Sequence, residues 1–295
     1  MRPTKLSVAL GREALAARTE SANGWLQGTP QGRTVRRAID GVVDIEIADR
    51  SMTLAAKIFT AVLPVIIATS IFSNWDLATR AIDEQFGFDP TALSAGVGAF
   101  SAADPSFAAF GVAGLLMVAI SGTSFARALA RIYGKIWSVP SISVRDVWRW
   151  LVVLLLVALS AALVGVMREV SGVRYVGVPL AFLGELVVWM LVWTVCPYLL
   201  TVGALSGRVL WCTGLLTASG LTVARTVGRF ALPKFTASAQ TKFGPLGLVF
   251  TSISWLFVLS MVIVGAAAIS KALALDEGWV GKYLRGPATP PEQRA

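Results

Sequence analysis

Residues 44–72, DIEIADRSMTLAAKIFTAVLPVIIATSIF, change from charged to apolar over a short distance. From residue 53 to residue 72 the stretch holds twenty residues with a single charge, Lys57. A helix needs about 20 mostly apolar residues to cross the ~30 Å hydrocarbon core of a bilayer. The sequence therefore predicts that a membrane-spanning helix covers residues 53–72.

Polar groups collect on one side of this predicted helix. On a helical wheel they are Glu46, Arg50, Thr53, Lys57, Thr60 and Pro64, whereas Leu54, Ile58, Ala61 and Val65 turn away. A charge on the lipid side would cost several kcal/mol, so we expect the polar side to face neighbouring helices or a water-filled cavity. We name Arg50, Thr53, Lys57 and Thr60 the polar stripe and treat them as candidate substrate-binding residues. Lys57 could instead extend to the membrane interface on its long aliphatic stem.

Glu185 is the acidic candidate within an apolar segment, and it completes the predicted substrate site as the partner of Lys57. The alternative for Glu185 is a local hydrogen bond between helices in the protonated form.

The amino-acid composition is typical of a membrane protein. Of its 295 residues 55% are hydrophobic and only 15% are charged, with a mean hydropathy of +0.69, which is too apolar for a soluble domain of this size. The net charge of +9 comes from Lys and Arg residues in segments between apolar runs, so nucleic acid is not an expected partner.

The residue types also restrict the chemistry. The chain has no histidine, which excludes histidine metal sites and histidine-activated nucleophiles. We therefore expect no catalytic centre, no cofactor and no metal. Cys196 and Cys212 are expected to be reduced packing residues.

The pattern along the chain predicts an all-α polytopic membrane protein with six transmembrane helices and both termini in the cytoplasm, because this orientation puts most of the Lys and Arg residues inside. The predicted spans are residues 53–72, 107–125, 150–167, 176–205, 209–227 and 246–272. The other predictions are a flexible cytoplasmic arm at 1–34 without a signal peptide, an amphipathic surface helix at 35–50, an exposed loop at 74–106 and a cytoplasmic tail at 273–295.

Two groups of basic residues are candidates for binding lipid headgroups or anions. Arg127, Arg131 and Lys135 recur every fourth residue and form a basic ridge that suits phosphate groups, although ordinary anchoring at the cytoplasmic interface explains them equally well. The last outer connection carries a second group without any acid: Arg225, Arg229, Lys234 and Lys242. This group is either tolerated charge or an outward-facing patch for an anionic ligand.

Three stretches resemble the YihY/virulence factor BrkB family of bacterial inner-membrane proteins, and most closely its YhjD branch. They are ADRSMTLAAKIFTAVLP at 48–64, SGTSFARALARIYGKIWSVP at 121–140 and FGPLGLVFTSISWLFVLSMVIVGAAAI at 243–269. The chain departs from the family where Ala130 replaces an Asn and where Ala267 and Ala268 replace an acid after the last Gly-Ala. The resemblance implies a six-helix, multi-pass protein of the bacterial inner membrane that serves the cell envelope.

The function that we expect is binding or translocation of an amphiphilic or lipid-like anion for the cell envelope. The alternative is a structural or scaffold protein of envelope assembly, in which the charges only anchor and orient the helices. The expected partners are membrane lipids, anionic ones in particular, and the sequence leaves open whether the chain forms a homo-oligomer.

Overall fold

The fold is all-α, as predicted. The computed structural model describes residues 46–72, 107–139, 146–170 and 177–286, together with six isolated positions between 24 and 36. This part of the chain contains no strand and seven helices: α1 (Ile47–Phe72), α2 (Phe107–Trp137), α3 (Val147–Val170), α4 (Gly177–Leu200), α5 (Gly207–Phe243), α6 (Pro245–Ala274) and α7 (Trp279–Arg285).

Helices α1 to α6 form a bundle in which each helix packs on the next one in the chain, and α6 returns to pack on α1. Successive helices run antiparallel where contacts define their direction. Gly220 of α5 lies against Val262 of α6, whereas Gly228, farther along α5, lies against the earlier Trp255 ring, so these two helices run in opposite directions. The bundle core contains mainly Leu, Ile, Val, Ala and Trp side chains.

The predicted spans all correspond to helices, but several ends differ. Helix α2 continues to Trp137, beyond the predicted end at 125, and α4 ends at Leu200, before the predicted end at 205. Two described helical segments, Pro179–Leu200 and Leu246–Ala274, are long and apolar enough by themselves to cross a membrane. The predicted surface helix at 35–50 lies mostly outside the described residues, and the arm at 1–34 almost entirely so. The loop at 74–106 and the chain end beyond 286 also lie outside them.

Helices α5 and α6 form a long hairpin that corrects one prediction. Residues 228–243, which were expected in an outer connection, continue α5 as helix, so α5 has 37 residues. Only Gly244 separates the two helices. It adopts a φ of 58°, which favours glycine, and Pro245 then begins α6. At 1.5 Å per residue α5 is about 55 Å long, which exceeds the hydrocarbon thickness of a bilayer.

The predicted C-terminal tail contains a short helix, α7, that sequence analysis missed. Polar side chains fix α7 to the start of α5: Arg208 donates to the Tyr283 carbonyl oxygen at 2.8 Å, and the Ser206 hydroxyl donates to that of Leu284 at 3.0 Å. Leu284 packs with Val209 and Ala274 in a small second core. Residues 279–285 are therefore part of the folded bundle.

Candidate functional site

The basic ridge lies on the exposed side of α2. Arg127, Arg131 and Lys135 are all exposed, whereas Leu129 and Tyr133 between them are buried in the bundle core. Within the described part of the chain, no carboxylate lies within ion-pair distance of the three cations. The ridge therefore presents its charge to whatever surrounds the bundle.

Arg127 is held in place by two contacts. Its guanidinium lies over the Trp150 ring, 5.4 Å from the centroid, and its Nε donates to the Thr123 carbonyl oxygen at 3.3 Å. Trp150 is itself buried. A cation–π contact of this kind contributes roughly 0.5–1 kcal/mol at an exposed site. Arg127 thus has a defined position at the junction of α2 and α3.

Exposed Trp and Tyr side chains surround the same end of the bundle. In the described residues, every strongly exposed Trp or Tyr lies there: Trp148 begins α3, Tyr198 ends α4, Trp211 begins α5, and Trp279 and Tyr283 lie on α7. We name this set the aromatic belt. Belts of Trp and Tyr are typical of the boundary between hydrocarbon and water, where the ring is apolar and its edge is polar.

Arg149, next to Trp148 in the belt, is already engaged by protein groups. It donates to the Leu199 carbonyl oxygen at 3.2 Å and lies 3.5 Å from an Asp146 carboxylate oxygen, with its guanidinium over the Trp148 ring. Its hydrogen bond to Leu199 connects the start of α3 with the end of α4. Sequence analysis did not single out Arg149, because its carbonyl partner on Leu199 is fifty residues away in the chain.

The second basic group is divided by the structure. Arg229, Lys234 and Lys242 are exposed along the distal half of α5, at the end of the bundle opposite the aromatic belt. No Asp or Glu occurs between residues 207 and 275. We name these three residues the distal patch.

Arg225 does not belong to the distal patch, which corrects the prediction for this residue. It is only 7% exposed and forms an ion pair with Glu185 of α4, with its guanidinium 5.8 Å from the Trp189 ring centroid. Glu185 and Trp189 lie one turn apart on α4. The pair therefore joins α4 to α5 inside the bundle.

The predicted pairing of Glu185 with Lys57 is wrong, because Glu185 pairs with Arg225 instead. Helix α1 packs mainly on α2 and α6, whereas α4 packs mainly on α3 and α5, so the two charges belong to different parts of the bundle. In the described part of the chain, Lys57 makes no ion pair. The sequence did contain a signal for the correct pair, since Arg225 and Glu185 are opposite charges within neighbouring apolar segments.

The polar stripe lies on the open side of α1. Thr53 and Thr60 are exposed and Lys57 is half-buried, whereas Leu54 and Ile58 are in the core. Of the two surroundings expected for the stripe, packing against neighbouring helices is not found for Thr53 and Thr60, and a water-filled cavity stays a prediction. Arg50, the remaining member, is half-buried, and the Thr60 hydroxyl donates to the Lys57 carbonyl oxygen at 3.0 Å within the helix.

The described residues place no cluster of three or more His, Cys, Asp or Glu side chains where a metal ion could be held. Both cysteines in this region are free thiols. What the arrangement offers is an exposed row of cations beside a belt of aromatic side chains. Such a row can bind phosphate or carboxylate groups through charge-assisted hydrogen bonds.

Comparison of the chain with protein-family models, curated proteins and solved structures gave no match. The resemblance of the three stretches to the YihY/BrkB family therefore stays a prediction. Function has to be inferred from the residues of the chain itself.

Proposed function

We propose that this chain is a multi-pass protein of a bacterial inner membrane, in which α1 to α6 cross the bilayer and the basic ridge faces the cytoplasm. The outer surface of the bundle supports this proposal. The exposed side of α4 carries large apolar side chains along its length: Leu180, Phe182, Leu183, Val187, Leu191 and Val195. The core helix of a soluble protein would bury these side chains. Only 22% of the apolar segment within Pro179–Leu200 is buried.

The exposed side of α5 supports the same arrangement, although α5 is less apolar overall. Its exposed side begins with Trp211 of the aromatic belt, continues through Leu215, Val223 and Val227, and reaches Lys234 of the distal patch. At 1.5 Å per residue, Trp211 and Lys234 are about 35 Å apart along the helix. This length matches the ~30 Å hydrocarbon core with an interfacial residue at each end.

The activity that we propose is binding of an amphiphilic or lipid-like anion at the basic ridge, followed by its translocation across the membrane. The observation that carries this proposal is that three exposed cations lie beside the aromatic belt, at the level where lipid headgroups are found. An anionic head can contact Arg127 and Arg131 while its apolar tail follows the apolar surface of the bundle. Lys57 on the open side of α1 offers a further cation for the moving anion.

A second candidate is the scaffold function, and a specific observation favours it. The interior of the bundle is closely packed: a Cβ atom added at Gly214 would meet Thr194, and one added at Gly228 would meet the Trp255 ring. The half-buried acid Glu185 forms an ion pair with Arg225. A bundle of this kind could bind lipids at its surface without moving them.

The test compares two matched variants. One replaces the three ridge cations with Gln, and the other replaces the three cations of the distal patch with Gln, so both lose the same charge at opposite ends. Native mass spectrometry of the purified proteins should show that the ridge variant loses co-purified anionic lipid and that the patch variant keeps it. Equal retention by the ridge variant and the unmodified protein would refute binding at the ridge.

Translocation is tested separately in vesicles. The unmodified protein should move a fluorescent anionic lipid between leaflets, measured by chemical quenching of the outer leaflet, and the ridge variant should not. If the protein retains anionic lipid but does not accelerate this exchange, the scaffold function is the correct one.

A further inference from the structure

The cations of the basic ridge lie at successive depths of the membrane if α2 crosses it as proposed. Neighbours four residues apart on a helix are about 6 Å apart along the axis, so Lys135 lies roughly 12 Å from Arg127. Arg127 contacts Trp150, which is two residues from Trp148 of the aromatic belt, so Arg127 marks the interface. Arg131 and Lys135 follow toward the nearby end of α2 at Trp137 and hence toward water.

The depths of the ridge cations along the membrane normal determine which kind of anionic lipid headgroup fits the ridge. A lipid with one phosphate has its charge at one depth and can engage Arg127 alone. A lipid with two phosphates side by side, each on its own glycerol, also has its charges at one depth. A head with two phosphates in series extends its charge outward from the interface, which is the direction in which the ridge runs.

We propose that the basic ridge is a binding site for lipids with a diphosphate head, and this proposal rests on the proposed function of the ridge. Arg127 binds the phosphate next to the lipid tail, and Arg131 binds the terminal phosphate, with Lys135 adding charge farther out. The two arginines suit this role because a guanidinium can donate two parallel hydrogen bonds to one phosphate group.

Two structural features sharpen the assignment. Arg127 is already fixed by Trp150 and by the Thr123 carbonyl, so little side-chain freedom is lost when it binds a phosphate. Three other described arginines at this end of the bundle are engaged by backbone carbonyl oxygens: Arg149 donates to Leu199, Arg208 to Tyr283, and Arg285 to Ala274 and Asp276. In the described part of the chain, Arg131 and Lys135 make no such contact, so the ridge is open to a ligand.

The experiment uses two probes with the same tail, farnesyl diphosphate and farnesyl monophosphate. The full-length protein in nanodiscs of zwitterionic lipid is titrated with each probe by calorimetry at one fixed salt concentration. We expect the diphosphate to bind about tenfold more tightly, because one further charge-assisted contact is made. Arg131→Gln should remove this preference by weakening diphosphate binding about tenfold while changing monophosphate binding less than about threefold. Arg131→Lys should restore part of the preference, because it keeps the charge but not the paired donors.

Arg229→Gln is the matched control, since it removes an equally exposed arginine at the opposite end of the bundle. It should leave both affinities unchanged, and an equal loss with this control would overturn the assignment to the ridge. If both probes bind equally well, or if Arg131→Gln weakens both equally, the diphosphate proposal is wrong while anion binding at the ridge stands. If neither probe binds and the ridge variant also retains lipid normally, the proposed function itself fails.

Discussion

The ion pair between Glu185 and Arg225 gives the sharpest test of how the bundle is held together. Glu185→Gln removes one charge with little change in volume and leaves the Arg225 cation 7% exposed between α4 and α5. Removing one partner of a buried ion pair costs about 3–5 kcal/mol. The contact of Arg225 with the Trp189 ring remains and offsets about 1 kcal/mol of this loss. We expect the free energy of unfolding to fall by about 2–4 kcal/mol.

The assay is reversible unfolding in mixed micelles with an increasing fraction of denaturing detergent, followed by the helical circular dichroism signal. Arg229→Gln, one turn farther along α5 and exposed, is the control and should change stability by less than about 0.5 kcal/mol. The double variant Glu185→Leu/Arg225→Met should recover most of the lost stability, because both charges are then replaced by apolar side chains of similar volume. The reasoning is refuted if Glu185→Gln is as stable as the unmodified protein, or if the double variant loses more than the single one.

Two further predictions concern helix packing and orientation. Gly214→Ala should destabilise the protein by about 1–3 kcal/mol, because its Cβ would collide with the Thr194 Oγ1 atom. Gly265→Ala, whose Cβ would meet nothing within 4 Å, is the control. Equal stability of the two variants in the same detergent titration would contradict the packing. The orientation is tested by labelling intact cells with an impermeant thiol reagent, in a variant without the native cysteines. The reagent should label Lys242→Cys but not Lys135→Cys, because the two exposed positions lie at opposite ends of the bundle. The reverse labelling pattern would invert the proposed topology.

The sequence predicted α1 to α6 well because each contains a long apolar segment bounded by charged or turn-forming residues, whereas the seven-residue α7 has no such segment and was missed. It also predicted the ridge, since residues four apart on a helix share a face whatever the helix packs on. The end of α5 was predicted wrongly. Residues 228–243 are rich in polar residues and include Pro233, which resembles a loop, yet their packing on α6 keeps them helical.

The sequence alone determined the all-α class, the approximate positions of α1 to α6 and the row formed by Arg127, Arg131 and Lys135 on one face of α2. Only the tertiary structure decided which side of α1 faces the core and which charge neutralises Glu185. The sequence left open whether the polar stripe faces neighbouring helices or a water-filled cavity, because the polarity of one helix does not show which helices pack on it; in the structure Leu54 and Ile58 enter the core, whereas Thr53 and Thr60 are exposed. The partner of Glu185 depends on which helices are neighbours, and Arg225, forty residues away in the chain, reaches it only because α4 and α5 pack together.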